Sequence, residues 1–258
     1  MTPLAADGGV DTDALQAHVR RLVSARIDGV LVAGTTGEGP LLHDDDVLRA
    51  VEAAAGETHV VAHVGRPATE ATARLAARAL EAGADEVSAV VPYYYGLEDD
   101  QLLSHFTAVA DAVAPAKLLV YTIPARTVNE VSVDLLDRLA GAGIAGLKDS
   151  TKSIERHAEY LGVAGRHPGF RVYMGSDGLA LEALQRGASG LMSAIANVRP
   201  DLTIELRDAV AAGEVERARE HGEELLAVRN EARTLPALKR LVAERVERYP
   251  VGVRAPVG

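Results

Sequence analysis

The feature that most constrains this chain of 258 residues is a regular alternation of short apolar runs with amphipathic stretches. The apolar runs are centred near residues 30, 61, 89, 119, 146, 172 and 192, and a stretch with helical periodicity lies between each consecutive pair. Strands that are joined through a helix run parallel, because the helix carries the chain back to the end at which the previous strand began. The pattern therefore predicts repeated βα units that build a parallel sheet.

The start of the chain bears on how many such units there are. Thr2-Pro3-Leu4 precedes the first predicted helix in the way that each later strand end precedes its helix. Eight units of this kind form a (β/α)8 TIM barrel, and its first strand would be truncated here, because Met1 stands where its last residues are expected. A doubly wound open sheet is the alternative, but that fold typically carries a phosphate-binding glycine loop after an early strand. The segment 34–39 (GTTGEG) is not such a loop.

The end of the chain has a different pattern. From Pro200 onward only helical periodicity remains, with breaks predicted at Gly213 and Pro236. We therefore expect a barrel over residues 1–199 and a C-terminal helical extension over residues 200–258 that packs on it. Because no linker or low-complexity tract interrupts the sequence, both parts are expected to form a single domain.

Composition excludes several classes of function. The formal charge of −10 disfavours a nucleic-acid partner or an anionic membrane surface. The absence of cysteine excludes disulfides, thiolate metal sites and a cysteine nucleophile. No run of about 20 apolar residues predicts a membrane span, and no basic region followed by an apolar run predicts a signal peptide. A cytoplasmic protein is therefore expected.

Polar residues collect where the predicted strands end, which is where a (β/α)8 barrel carries its chemistry. These residues are Thr35, Thr36, Tyr93, Tyr94, Tyr121, Arg126, Lys148, Ser176 and Asp177. Taken singly, most of them have a structural interpretation as well. Thr35-Thr36 is either a tight turn or a set of N–H groups for an anion, and Arg126 is either a solvated surface charge or a clamp for a carboxylate. Their common position favours a functional site.

Lys148 interrupts the apolar strand Ile144–Ser150. An unpaired ammonium group is costly to bury, so a lysine in a dry environment tends to lose its proton and becomes a nucleophile. A lysine at a strand end can also extend its amine to water and have no function. The strand alone leaves both interpretations open.

Histidines give no metal prediction. His59 and His63 share one face of a predicted strand, but no third ligand accompanies them in the sequence. We therefore expect no metal site.

Several separated motifs, in the right order, resemble the dihydrodipicolinate synthase / N-acetylneuraminate lyase family of pyruvate-dependent class I aldolases. The similarity spans nearly the whole chain. The matching segments are Gly34-Thr35-Thr36-Gly37-Glu38, Pro92-Tyr93-Tyr94, Tyr121 to Thr127, Gly146-Leu147-Lys148-Asp149, and Gly190 with the turn Ser193 to Asn197.

This resemblance implies a role for each matching residue. Lys148 would form a Schiff base with pyruvate, and the resulting enamine would attack an aldehyde. Tyr121 would be the general acid and base, with Tyr94 and the Thr35 hydroxyl completing a proton relay. Substrate binding would involve Thr35, Thr36, Arg126, Gly175 and Ala194. The family requires no cofactor and no metal. Its members are homodimers or homotetramers in which the tyrosine at the Tyr94 position reaches into the neighbouring subunit's site.

Arg126 points to one branch of the family. In the context Tyr-x-x-Pro-x-Arg-Thr it resembles the synthase branch, where that arginine binds the carboxylate of aspartate semialdehyde. We therefore expect a 4-hydroxy-tetrahydrodipicolinate synthase, an enzyme of lysine biosynthesis. Three departures stand against this: Thr122 replaces the usual asparagine, Gly175-Ser176-Asp177 replaces the usual Gly-Asp-Asp, and the family's first strand is almost wholly absent. A 2-keto-3-deoxy sugar acid aldolase of the same family and a non-catalytic ligand-binding paralogue are the alternatives.

Overall fold

A computed structural model describes residues 1–257. Its strands and helices alternate as the sequence predicts. In chain order they are α1 (Thr12–Ser24), β1 (Gly29–Val32), α2 (Asp44–Ala54), β2 (His59–His63), α3 (Thr69–Glu81), β3 (Glu86–Val90), α4 (Asp99–Val113), β4 (Lys117–Thr122), α5 (Val133–Gly141), β5 (Gly146–Asp149), α6 (Ile154–Ala164), β6 (Arg171–Met174), α7 (Ala180–Gln185), β7 (Gly190–Leu191), α8 (Pro200–Ala211), α9 (Val215–Glu231) and α10 (Leu235–Ala243).

All seven predicted strands are present, in one sheet with the order β1 to β7. The pairing of β1 with β2 and the four pairings from β3 to β7 are parallel. A doubly wound sheet reverses its strand order at a switch point, so this uninterrupted order excludes that alternative. Before α1, residues 1–11 contribute one isolated antiparallel bridge, between Leu4 and Val10.

Contacts between residues divide the chain into two compact units. The first contains residues 1–62, residues 82–84 and the chain from Ser193 onward; the second contains residues 63–81 and 85–192. The predicted boundary between residues 199 and 200 differs from this division, and a single domain with a helical extension stays a prediction.

The core of the second unit lies between the sheet and its helices. All five residues of β3 are buried, which is typical of a parallel strand covered on both faces. Helix α5 buries Leu135, Leu136 and Leu139 along one side and begins where Ser132 accepts a hydrogen bond from the Leu135 amide. Such caps fix where each helix begins and therefore how long the strand-end loops are.

The C-terminal helices correct one prediction. Gly213 separates α8 from α9 as expected, but Pro236 does not break a helix. It lies in the first turn of α10, where the Thr234 side chain accepts a hydrogen bond from the Ala237 amide. Proline is tolerated there, because a first-turn N–H has no partner within the helix. The break falls instead between α9 and α10, at residues 232–234.

Candidate active site

Three polar residues lie at one level of the sheet in the second unit. The register pairs Tyr121 on β4 with Lys148 on β5, and Lys148 with Tyr173 on β6. Side chains at the same level of neighbouring parallel strands point to the same face. Lys148 and Tyr121 are only 7% and 2% exposed, respectively. The structure therefore brings the predicted lysine and the predicted tyrosine together inside the protein.

The Lys148 amine faces the Tyr121 ring. Nζ lies 4.2 Å from the ring centroid, a distance at which the ring quadrupole attracts a cation. Among residues 1–257, no carboxylate lies within ion-pair distance of this amine, and no hydrogen bond from it is present. The amine is therefore not held in an ion pair and is available as a nucleophile.

His63, at the end of β2, packs against the same tyrosine. Its ring meets the Tyr121 ring edge to face, with centroids 5.8 Å apart. Burial, followed by the positive charges of Lys148 and Arg66, lowers the pKa of His63 to about 3, although a hydrogen bond with the Ser88 backbone acts in the opposite direction. The imidazole is therefore neutral at ordinary pH and adds no second cation beside Lys148.

Gly175, which follows β6, leaves space beside the lysine. A Cβ atom at this position would lie 2.3 Å from Ser150 Oγ and 3.0 Å from Lys148 Cε. Contacts shorter than 3.0 Å require the neighbouring atoms to move. The absence of a side chain at Gly175 therefore allows the extended Lys148 side chain to pass.

A buried acid and histidine hold the strand end that carries Lys148. Asp149 Oδ2 lies 2.8 Å from His157 Nδ1, and both side chains are fully buried. Asp149 Oδ1 also accepts a hydrogen bond from the Thr151 amide at 2.8 Å. Nearby, burial and then the Asp149 charge raise the pKa of Tyr160, whose hydroxyl donates to the Val131 carbonyl at 2.6 Å. The two contacts of Asp149 fix the end of β5 from the helix side.

Asn129 joins the loops that follow β3 and β4. Its amide nitrogen donates to the carbonyls of Pro92 and Tyr95, and its side-chain oxygen accepts from the Leu97 amide. Tyr94 lies on the first of these loops and is 73% exposed. The loop after β4 carries Arg126, which is also exposed. Neither side chain is brought next to the buried pair of Lys148 and Tyr121.

An ion pair lies one level below the tyrosine and lysine. Arg171 on β6 donates two hydrogen bonds to the Glu86 carboxylate of β3, at 2.8 and 3.0 Å. It also donates to the Tyr173 hydroxyl at 3.3 Å. These bonds hold Tyr173 at the level of Lys148.

The remaining predicted residues belong to the first unit. Thr35 and Thr36 begin a short 3-10 turn, Thr35–Gly37, in the loop that follows β1. Ala194 directly precedes another 3-10 turn, at Ile195–Asn197. Their roles in substrate binding stay predictions.

Sequence reasoning missed Tyr173, Asn129 and the position of His63 beside Tyr121. The level of Tyr173 beside Lys148 depends on the strand register, which is visible only in the structure. The contacts of Asn129 join two loops and have no signal in the sequence. The spacing of His63 from His59 raises only the question of a metal pair and gives no signal of its position beside Tyr121.

Residues 1–257 contain neither a cluster of metal ligands nor a membrane-spanning helix. No group of three or more histidine, aspartate or glutamate side chains is arranged to hold a metal ion. No helix in this range is long and apolar enough to cross a bilayer.

Curated relatives resemble the chain over its whole length. An uncharacterized DapA-like lyase of Halobacterium salinarum is 38% identical, over 100% of this chain and 81% of the relative. The 4-hydroxy-tetrahydrodipicolinate synthase of Thiobacillus denitrificans is 35% identical, over 100% of this chain and 88% of the relative.

Solved structures agree with the fold. Dihydrodipicolinate synthase from Aquifex aeolicus superposes with a TM-score of 0.90 at 33% sequence identity. The superposition covers 100% of this chain and 89% of the synthase chain. YagE, an E. coli K12 prophage protein of the dihydrodipicolinic acid synthase family solved with pyruvate, gives a TM-score of 0.94 at 26% identity, with coverages of 100% and 90%. KD(P)GA from T. tenax gives 0.89 at 31% identity, with coverages of 100% and 90%. The TIM-barrel fold class is thereby confirmed.

The family model described as the dihydrodipicolinate synthetase family matches residues 1–256. Its members among the relatives are synthases and lyases, and the chain is an enzyme of this lyase class. The predicted resemblance is confirmed: the chain belongs to the dihydrodipicolinate synthetase family.

Proposed function

We propose that this protein is a cytoplasmic aldolase that forms a Schiff base with pyruvate, and that its reaction is the 4-hydroxy-tetrahydrodipicolinate synthase reaction of lysine biosynthesis. The observation that carries the proposal is the buried Lys148 amine, which has no carboxylate partner and faces the Tyr121 ring. Relatives named for this synthase reaction, at 35 to 38% identity, support the choice of aspartate semialdehyde as second substrate.

The first step uses the free amine of Lys148. Its nitrogen attacks the ketone carbon of pyruvate and forms a carbinolamine, which takes up a proton on its hydroxyl and loses it as water to leave an iminium ion. The positive charge then lies on the nitrogen that faces the Tyr121 ring, and the ring stabilises a cation there. A neutral His63 beside the same ring avoids repulsion of that charge.

The second step makes the new carbon–carbon bond. The iminium draws electrons from the pyruvate methyl carbon, which loses a proton and becomes an enamine. This carbon attacks the aldehyde carbon, the aldehyde oxygen takes up a proton, and the semialdehyde's amino group then displaces Lys148 from the iminium carbon as the ring closes. Tyr121 is the residue that moves these protons, with the Thr35 hydroxyl and Tyr94 completing the path to solvent.

Substrate carboxylates need separate binding groups. We assign the pyruvate carboxylate to the amides of Thr35 and Thr36, because backbone N–H groups in a turn suit an anion. Backbone groups at Gly175 and Ala194 are assigned to the same substrate. Arg126, as a planar bidentate donor, is assigned to the carboxylate of the semialdehyde.

An exposed apolar patch supports a homo-oligomer, a dimer or a tetramer. Tyr94, Tyr95 and Val128 are 73%, 72% and 65% exposed, respectively, on the two loops that Asn129 joins. Large exposed aromatic residues on a fixed loop are typical of a surface that another protein covers. We propose that a second copy of the chain covers this patch. Sedimentation of wild type and Tyr94→Ser tests this, because the substitution should shift the equilibrium towards monomer.

Borohydride reduction in the presence of pyruvate tests the Schiff base. Intact mass should show one pyruvyl adduct on wild type and none on Lys148→Met. Lys152→Met, which removes an exposed lysine close in sequence, should keep the adduct. A wild-type protein without an adduct would support the non-catalytic paralogue instead.

The choice of aldehyde needs its own comparison. A sugar acid aldolase is the alternative, supported by the similarity to KD(P)GA and by Thr122 in place of asparagine. Turnover of aspartate semialdehyde should exceed that of 2-keto-3-deoxygluconate, and Arg126→Leu should raise the KM for the semialdehyde at least about tenfold. Efficient cleavage of the sugar acid without condensation of the semialdehyde would reject the synthase assignment.

A further inference from the structure

A second buried lysine lies beside the turn that carries Thr35 and Thr36. Glu38 immediately follows this turn, and its Oε1 lies 2.6 Å from Lys239 Nζ of α10, with both side chains fully buried. Lys239 also donates a hydrogen bond to the Gly252 carbonyl. Burial lowers the pKa of Lys239, whereas the hydrogen bond and the charge of Glu38 act to raise it. The carboxylate and the amine thus form a buried ion pair. Removing either partner would leave the charge of the other buried without its partner.

The backbone conformation of Glu38 links this ion pair to the turns on either side of it. Glu38 adopts φ 61° and ψ 21°, the left-handed conformation that residues other than glycine rarely occupy. Its amide donates to the Thr35 carbonyl, and its carbonyl accepts from the Leu41 amide. The conformation of Glu38 therefore sets the geometry of the turn before it and of the turn after it.

Arg254 supplies a second anchor to the same segment. Its backbone amide donates to Glu38 Oε2 at 2.7 Å. Its guanidinium donates to the Leu41 carbonyl at 2.9 Å and to Asp46 Oδ2 at 2.7 Å. It also donates to the Gly8 carbonyl at 2.6 Å. The three side chains Glu38, Lys239 and Arg254, which we call the C-terminal clamp, hold the chain on both sides of Glu38.

We propose that the C-terminal clamp is a positioning device that sets the affinity of the Thr35–Thr36 turn for the pyruvate carboxylate. This inference rests on the proposed function, because it takes pyruvate as the ligand of that turn. Backbone N–H groups bind an anion well only when their direction is fixed beforehand. Glu38 is the residue through which α10 and the segment 252–254 fix it.

The test separates the position of the turn from the stability of the protein. The measured quantity is the pyruvate concentration that gives half of the maximal borohydride adduct. Glu38→Gln and Lys239→Met each leave one buried charge unpaired, and both should lower the melting temperature. The double variant Glu38→Gln/Lys239→Met removes both charges of the pair, so much of the stability should recover. Its half-saturating pyruvate concentration should nevertheless stay raised, about tenfold or more, because α10 no longer holds residue 38 through Lys239.

Two further variants complete the experiment. Arg254→Met removes only the guanidinium contacts and should raise the half-saturating pyruvate concentration by a smaller factor, about threefold. This variant decides the question if the double variant does not fold. Arg207→Met removes a partly exposed ion pair with Asp28 in the same unit and should leave half-saturation unchanged. A folded double variant, or Arg254→Met in its place, with wild-type half-saturation would overturn the positioning role. Absence of an adduct on wild type would instead reject the proposed function itself.

Discussion

Lys148 and Lys239 are both buried, yet their amines have opposite surroundings. Lys239 Nζ is paired with the Glu38 carboxylate at 2.6 Å and bonded to a carbonyl. Lys148 Nζ faces the Tyr121 ring at 4.2 Å and has no carboxylate partner among residues 1–257. An amine held in a buried ion pair contributes to structure, whereas an amine without a carboxylate partner is available to attack a carbonyl. Burial alone therefore does not identify a catalytic lysine; the partner of its amine does.

The largest expected contrast comes from replacing each lysine by methionine. Lys148→Met should lose about a thousandfold or more in turnover, with little loss of stability, because no partner is left uncompensated. Lys239→Met should lower the free energy of unfolding by about 3–5 kcal/mol, because it leaves the Glu38 carboxylate buried and unpaired. Steady-state kinetics and urea unfolding of both variants measure the contrast. Equal losses of stability would show that the two amines have similar environments.

Tyrosine substitutions examine the ring that faces Lys148. Tyr121→Phe keeps the aromatic face and removes the hydroxyl, so kcat should fall about 10²- to 10⁴-fold while the borohydride adduct still forms. Tyr160→Phe is the matched control, since it removes a buried hydroxyl that bonds only to the Val131 carbonyl. It should cost about 1 kcal/mol of stability and leave kcat unchanged. Unaltered kcat in Tyr121→Phe would exclude Tyr121 as the proton donor.

The space around the Lys148 side chain is tested at Gly175. Gly175→Ala brings a Cβ within 3.0 Å of Lys148 Cε and closer still to Ser150 Oγ, so we expect a loss of about 1–3 kcal/mol in stability and slower adduct formation. Gly162→Ala, in α6 with no atom within 4 Å of the new Cβ, should instead gain about 0.5–1 kcal/mol. A Gly175→Ala protein that matches wild type in both respects would show that the lysine has more room than these distances allow.

A pH-dependent effect concerns the neutral histidine beside Tyr121. The pKa of His63 in the folded protein is about 3, below the ordinary histidine value of 6.5, so the unfolded chain takes up a proton first as the pH falls. Stability due to this group is therefore present above pH 6.5 and is lost towards pH 3, by about 1.4 kcal/mol per pH unit. Urea unfolding of wild type and His63→Phe between pH 7 and pH 4 gives the free energy of unfolding as a function of pH. The slope of this dependence should be smaller in the variant, by up to that amount. An identical slope in wild type and variant would mean that His63 titrates normally.

The sequence predicts the role of Lys148 but not that of Lys239. Lys148 is found from sequence because its strand is short, apolar and interrupted by one charge, and because barrel chemistry lies at strand ends. Lys239 has no such signal, because it lies in an amphipathic helix and its partner Glu38 is close only after folding. The βα period likewise predicts all seven strands. The helix break predicted at Pro236 is wrong, because the effect of a proline depends on its position in the helix, and tertiary packing sets where that helix begins.

Within the site, too, the sequence predicts which residues take part but not the contacts between them. Tyr121 and Lys148 are predicted as members of one site, but their contact depends on strand register, which local pattern does not supply. The contacts of Asn129 and the left-handed conformation of Glu38 depend on residues distant in sequence. Long-range hydrogen bonds of this kind have no periodicity, so they are visible only in the folded chain.

Mapping the reduced pyruvyl group onto the four lysines of the chain tests the contrast between the buried amines most directly. Lys117 and Lys152 are exposed, and Lys148 and Lys239 are buried. After borohydride reduction of the folded wild-type protein with pyruvate, proteolysis and mass spectrometry should place one adduct, on Lys148 alone. An adduct on Lys239, or one spread over the exposed lysines with Lys148 unmodified, would mean that the unpaired amine facing Tyr121 is not the nucleophile.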